Sequence, residues 1–239
     1  MVSTAVINVV KFFASMSSLY LFASPFADIR AIQAAKIKHS RRILPLTSMF
    51  CNAICWCLYG ILAHNIFPLL LTNAVGIIIV TYYLYIFSKY ASDSVHVRKC
   101  LIGMAVALSI FFSFCLFAPV SHATVQSVVG YTGISVCTVM FASPLAVVKK
   151  VIAEKSSDML PFPMIVAAFM NSILWLVYGL MIRDIIVFLP NLINFFLAGM
   201  QLSLFVIYPR TKGYVSMHSS VAIMDAKIFV PVSSDLEKA

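Results

Sequence analysis

Phe22-Ala23-Ser24-Pro25 recurs letter for letter as Phe141-Ala142-Ser143-Pro144, 119 residues further on. The same offset carries Lys36 onto Lys155, Asn52 onto Asn171, Trp56 onto Trp175, Tyr59 onto Tyr178 and Gly60 onto Gly179. A chain of 239 residues that matches itself in one register over half its length is a duplication. Its fold must therefore place two similar units around a shared axis.

The units are apolar. Hydrophobic residues make up 62% of the chain and charged residues 10%, with a mean hydropathy of +1.00; soluble domains carry about 25% charged residues. Lipid must cover this much apolar surface. Spans are expected near 5–27, 45–62, 66–87, 101–120, 125–148, 161–181 and 185–208, each with roughly the 20 apolar residues that cross about 30 Å of hydrocarbon. No strand-like alternation appears, and backbone groups in lipid must be satisfied internally, so the spans read as helices.

Charge sets the expected topology. Arg30, Lys36, Lys38, Arg41 and Arg42 fall in the first loop, Lys89, Arg98 and Lys99 in the third, and Lys149, Lys150 and Lys155 in the fifth. Arg210, Lys212, Lys227 and Lys238 follow the last span, and only Lys11 and Arg183 fall on the other side. Fifteen of 17 cations on one side make that side cytoplasmic, with the N-terminus outside or lumenal and the C-terminus cytosolic. The net charge of +9 is thus a topology signal and does not imply nucleic acid. The first apolar run lacks a basic leader and a small-residue cleavage site, so it reads as span one.

The fold class expected is an all-α membrane protein of seven transmembrane helices arranged 3+1+3. Residues 1–88 form the first three-helix repeat, 89–124 a linker helix (span four) with flanking loops, and 125–208 the second repeat. The extra crossing lets both repeats start on the same side, so they are parallel, and a substrate site is expected where they face each other near the midplane. Residues 209–239 read as a mostly disordered cytosolic tail. Its Tyr214-Val215-Ser216-Met217 fits a sorting pattern loose enough to match by chance.

Polar residues inside the spans are the candidates for function. Asn73 in span three and Asn191 in span seven are near-equivalents, offset by 118. An amide in hydrocarbon needs partners and at this depth usually faces an interior or a cavity, helix-to-helix bonding being the alternative. Trp56 and Trp175 are the only tryptophans. They read either as interfacial anchors or as two indole faces around a flat ligand with polar edges, such as a sugar ring. Asn52 and Asn171 precede them by one turn, on the same helix face.

No Asp, Glu, Lys or Arg falls in mid-span, where a proton-coupled pump needs a titrating group; passive uniport of a neutral solute follows. Pro25 and Pro144, late in spans one and five, would break helical hydrogen bonds. Pro45 and Pro161 open spans two and six, where first-turn proline is ordinary. Together they would ring the cytoplasmic side with hinges. At the other mouth Tyr59, Tyr178 and Asp184 cluster, as an outer gate or as solvated interface residues. Cys51, Cys55, Cys57, Cys100, Cys115 and Cys137 follow no disulfide or zinc spacing and read as small apolar residues. No catalytic constellation, phosphate-cradling loop or metal motif is present, so neither an enzyme nor a cofactor is expected.

These residues together resemble the SWEET family of sugar transporters. The resemblance rests on both Phe-Ala-Ser-Pro stretches, on Asn-x-x-x-Trp-x-x-Tyr-Gly at 52–60 and 171–179, on Thr72-Asn73-Ala74-Val75-Gly76, on Leu189-Pro190-Asn191, and on Lys155-Ser156 with Leu160-Pro161-Phe162. It covers about residues 5–208. The family is itself an instance of parallel repeats. It implies facilitated diffusion of mono- or disaccharides by alternating access, at the plasma membrane or an endomembrane such as the vacuole, often as homo-oligomers, with a sugar and the bilayer as partners. By resemblance the sugar pocket comprises Asn73, Asn191, Trp56 and Trp175, with Leu21, Asn52, Met140 and Asn171 tuning its size. The hinges are Pro25, Pro45, Pro144 and Pro161, and the outer gate is Tyr59 and Asp184.

Two features depart from the family pattern. Leu192, Ile193 and Asn194 follow Asn191 where glycine is usual, and Lys38-His39-Ser40-Arg41-Arg42 is more basic than usual. Asn52 and Asn171 are larger than the serine of some relatives, which favours hexoses over sucrose. A related seven-span amino-acid carrier is the alternative, against which stands the lack of a Pro-Gln pair; a seven-span receptor would not require a duplication.

Overall fold

The computed structural model describes residues 3–36, 38–39, 43–140 and 142–209, with backbone alone at 142–144. Arg41, Arg42, Phe141 and the tail from Arg210, with its Tyr214 pattern, lie outside the described residues. The chain runs α1 (Thr4–Ala23), α2 (Phe26–Ala35), α3 (Leu44–Leu62), a short irregular turn (Ile66–Leu70), α4 (Leu71–Lys89), α5 (Ser94–Phe117), α6 (His122–Met140), α7 (Ala142–Glu154), α8 (Phe162–Ile182) and α9 (Ile185–Ile207). These make seven stretches long and apolar enough to cross a membrane. Among the described residues there is no strand beyond a bridge between His39 and Ala91.

Two boundaries correct the sequence reading. Pro25, expected late inside a span, instead stands at the start of α2, and α1 stops at Ala23. Proline has no N–H and crowds the carbonyl four residues back, so the helix ends ahead of it. In span five the described backbone is helical at Pro144, within α7. Span four starts at Ser94, well before the expected 101, because the Asp93 side chain accepts from His96 N at 2.8 Å and caps the helix there. Arg98 and Lys99, read as loop cations, ride on α5, and Lys149 and Lys150 on α7. Hydropathy marks where lipid ends, and helices continue past it.

The duplication is visible in the packing. In each half the third span lies between the first and second: α4 touches α1 and α3, and α9 touches α6 and α8. The halves meet through two equivalent pairs, α1 on α8 and α3 on α6. Ala14 and Gly133 are equivalent small residues at these crossings, and Ala14 is fully buried; small residues let helices approach closely where the solvent is lipid. The linker α5 packs against α3 and α4 and buries only Val97, leaving Ile102, Val106, Ile110 and Leu116 outward.

The core comes in three parts. One lies in the first repeat around Ile43, Val80 and Tyr83, and one in the second around Val151, Leu160 and Ala198. The third, between them, holds Trp56, Tyr59, Val129, Trp175, Tyr178 and Val187. It is this shared part that positions the candidate site.

Among the described residues, four other than glycine have positive φ, and they form two equivalent pairs. Lys36 (53°) and Lys155 (51°) follow α2 and α7; His64 (53°) and Arg183 (55°) follow α3 and α8. Each is the left-handed residue that closes a helix C-terminus.

Candidate functional site

The site begins with two caps and a slip in register. Asn65 and Asp184 are equivalent at the 119 offset and each opens a third span. After Asp184 the first backbone bond is helical, Phe188 N to Asp184 O at 2.9 Å. After Asn65 it spans one residue more, Leu70 N to Asn65 O at 3.1 Å, and Phe67 is extended (φ −123°, ψ 125°). One extra residue is absorbed in the Ile66–Leu70 turn. This explains why Asn73 and Asn191 correspond at 118 and not 119: the structure restores their equivalence.

Asn73 Nδ2 donates to the Leu69 carbonyl at 2.9 Å, and Asn191 Nδ2 to the Val187 carbonyl at 2.8 Å. Both bonds reach back one turn and hold the amide in the same attitude. A cavity of about 220 Å³ opens beside them between the repeats. Its lining brings together all eight residues singled out as pocket candidates: Leu21, Asn52, Trp56, Asn73, Met140, Asn171, Trp175 and Asn191. Ser18, Phe22, Met49, Leu69, Cys137, Val187, Pro190 and Asn194 complete it. Among the described residues that line it, none is a carboxylate, lysine or arginine.

The two tryptophans are buried and differ in their partners. Trp56 Nε1 donates to Asn52 Oδ1 at 3.1 Å within its own helix. Trp175 Nε1 donates to Ser18 Oγ of the other repeat at 2.7 Å. Ser18 then donates to Asn171 Oδ1 at 2.8 Å, and Cys137 Sγ to Asn52 Oδ1 at 3.0 Å. In each half the asparagine and the tryptophan one turn on line the cavity together, but only Trp56 bonds its own asparagine, while the Trp175 indole bonds across the interface.

The amides divide into two kinds. Asn52 and Asn171 have their Oδ1 occupied, and among the described residues no protein group takes their Nδ2; Asn73 and Asn191 have Nδ2 occupied and Oδ1 unclaimed. An amide offers two donors and two acceptor sites. The cavity therefore presents donor groups from one asparagine pair and acceptor groups from the other, between two indoles, which is the chemistry a ring bearing hydroxyls requires.

One end of the cavity is closed by reciprocal bonds. Tyr59 Oη donates to the Asp184 carboxylate, 2.9 Å from Oδ2 and 3.0 Å from Oδ1, and Tyr178 Oη donates to Asn65 Oδ1 at 3.1 Å. Each tyrosine bonds the cap of the opposite repeat. Asp184 Oδ1 also accepts from Ile186 N (2.9 Å) and Val187 N (3.2 Å), so the same carboxylate is also the α9 cap. Beyond the latch lies a polar vestibule of about 580 Å³ that includes Lys11, His64, Gln126 and Arg183.

At the other end, α2 packs on α4 and α7 on α9, each within its own half. Pro45 is the second residue of α3 and Pro161 precedes α8. The Pro144 side chain lies outside the described residues.

Sequence reasoning missed Ser18, Cys137 and Asn65. The 119-residue register pairs Ser18 with Cys137 and Asn65 with Asp184, but the letters differ, and a search for identities passes over them. It noted Asn194 only as a departure from glycine. Asn194 lines the cavity at the position equivalent to Gly76 and donates to the Ala168 carbonyl at 3.4 Å.

Comparison with known proteins gives concordant results. The family described as "Sugar efflux transporter for intercellular exchange" matches residues 8–94 and 127–213, two copies 119 residues apart. The chain is 29% identical over 231 residues to "Bidirectional sugar transporter SWEET11" of Arabidopsis thaliana, covering 94% of this chain and 78% of that one. It is 32% identical over 203 residues to "Bidirectional sugar transporter SWEET2b" of Oryza sativa subsp. indica, covering 81% and 86%. A solved structure, "The 3.7 A resolution structure of a eukaryotic SWEET transporter", superposes with a TM-score of 0.74 at 25% identity, over 85% of this chain and 98% of that chain.

Proposed function

The chain belongs to the SWEET family of sugar transporters, and from that membership we propose that it carries neutral sugars passively, in both directions, by exposing the cavity between its repeats alternately to each side. The observation that carries this reading is the amide array. Asn52 and Asn171 offer donors, Asn73 and Asn191 offer acceptors, and Trp56 and Trp175 flank them. A sugar hydroxyl both donates and accepts, and its ring C–H face suits an indole. A set of fixed polar partners also rejects solutes that lack hydroxyls, since desolvated amides would be left unpaired.

Size favours a hexose. The side chains of Asn52 and Asn171 narrow the cavity of about 220 Å³, which favours a single ring over a disaccharide. The uncharged lining supports uniport, because none of the described residues that line the cavity is a carboxylate able to take up a proton, and Asp184 at the outer end is held by Tyr59 and the start of α9. The asymmetry of charge along the chain supports an orientation with the Tyr59–Asp184 end outside or lumenal. On this reading the Tyr59–Asp184 end is the closed outer side, and the proline-bearing ends of α2, α3, α7 and α8 form the moving cytosolic mouth.

The test is uptake and efflux of radiolabelled glucose and sucrose in cells lacking endogenous sugar transport. Saturable glucose flux both ways, with little sucrose flux, is the expected result. Well-expressed protein that moves neither sugar would overturn the cargo assignment, and equal sucrose flux would overturn the size argument.

A further inference from the structure

Residues 18 and 137 are equivalent, both line the cavity, and both reach across the repeat boundary to an asparagine, yet one is serine and the other cysteine. The consequences are unequal. The Ser18 hydroxyl works as a relay: it accepts from Trp175 Nε1 at 2.7 Å and donates to Asn171 Oδ1 at 2.8 Å, beside Ser17, which donates to the same oxygen at 2.8 Å. A thiol is a weak donor and a weak acceptor, so residue 137 makes only a weak version of this relay. Cys137 Sγ donates to Asn52 Oδ1 at 3.0 Å, and Trp56 Nε1, which also bonds the thiol, takes that same oxygen at 3.1 Å. One indole is tied to the opposite repeat through a hydroxyl, the other chiefly to its own helix and to the opposite repeat only through a thiol.

We propose that Ser18 and Cys137 are positioning residues that set sugar selectivity. Each holds the amide of its cross-repeat asparagine by Oδ1, with Nδ2 as the remaining donor, and the hydroxyl-to-thiol difference adds to the inequivalence that Leu21 against Met140 and Gly76 against Asn194 already give the two halves. The proposal rests on the cavity being the sugar site. Its physical logic is that of symmetry. A pocket with true two-fold symmetry would accept a sugar equally in two rotated orientations and would discriminate poorly between hexoses that differ at one carbon. Tying one indole firmly across the interface and the other only weakly favours one orientation, so each ring carbon meets a defined partner.

The experiment compares Cys137→Ser, which rebuilds the relay in the first half, with Ser18→Cys, which removes it from the second, and with the double swap. KM and maximal rate are measured for glucose, galactose and 2-deoxyglucose. Each single variant is expected to change the ratio of KM values by about three- to tenfold, the worth of roughly one neutral hydrogen bond, with maximal rates held within about twofold. The double swap transposes the inequality and is expected to move the ratio back toward wild type. Unchanged KM ratios in both single variants, with sugar flux intact, would overturn the proposal and leave the sugar reading standing. Absence of sugar flux in the wild type would remove both.

Where a variant fails to reach the membrane, alkylation of Cys137 in the wild type by a small maleimide, read by mass spectrometry, decides. Protection by saturating glucose is expected, and a labelling rate indifferent to glucose would count against residue 137 facing the bound sugar.

Discussion

Cys137 Sγ lies 3.0 Å from Asn52 Oδ1 across the boundary between the repeats, as Ser18 Oγ lies 2.8 Å from Asn171 Oδ1 at the equivalent place. These crossed contacts, with the crossed Tyr59–Asp184 and Tyr178–Asn65 bonds above them, mean that neither repeat encloses a pocket alone. The duplication supplies two half-sites, and their mutual contacts make one.

The amides of Asn73 and Asn191 should be indispensable to transport. Alanine at either position removes an acceptor from the cavity and should lower glucose kcat/KM by at least about tenfold, near 1.4 kcal/mol, with surface expression unchanged. Flux in cells with matched surface protein checks it.

The two latches should differ in strength. Tyr59 donates to a carboxylate and Tyr178 to a neutral amide; bonds to charged groups contribute about 1.5–3 kcal/mol against about 1 for neutral ones. Tyr59→Phe should therefore loosen this end more than Tyr178→Phe. Spin labels at Ala63 and Ile182, equivalent positions on the vestibule wall, report it: the interlabel distance should broaden upward more in the Tyr59 variant.

Gly60 and Gly179 should resist any side chain. A Cβ on Gly60 would lie 3.0 Å from Leu70 N, and on Gly179 2.9 Å from Phe188 N, both rigid backbone. Alanine at either should cost about 1–3 kcal/mol and lower the detergent-solubilised melting midpoint. Gly103→Ala on α5, with nothing within 4 Å, should be neutral or stabilising, by up to about 1 kcal/mol of helix propensity.

Lys36 and Lys155 should tolerate glycine and reject valine. Both hold φ near 50° at helix ends, where a left-handed residue other than glycine costs about 1–2 kcal/mol. Glycine should hold or raise the melting midpoint, and valine should lower it.

Much of the fold is legible in the sequence because duplication and lipid both leave marks there. The repeat register alone pairs Asn52, Trp56, Tyr59 and Gly60 with their equivalents, and seven apolar runs mark seven spans. Helix ends are less legible: α5 begins at Asp93's cap among charged residues, and α7 carries Lys149 and Lys150 beyond the apolar stretch. Within the site, identities between the repeats stand out and differences do not. Ser18 and Cys137, and Asn65 and Asp184, fill the same places with different chemistry, and only the crossed bonds show that they act as pairs. The one-residue slip ahead of Asn73 shows in the sequence as an offset without a cause, since nothing in the letters says that Ile66–Leu70 absorbs a residue.

Purified protein in proteoliposomes tests the central claim most directly. Radiolabelled glucose should enter until its inside concentration equals that outside, at a rate indifferent to an imposed pH gradient, exchange faster against internal glucose, and fall to the level of empty vesicles with Asn73→Ala and Asn191→Ala. Accumulation above the outside concentration when a pH gradient is imposed would contradict a passive path through an uncharged pocket, as would full exchange in both asparagine variants.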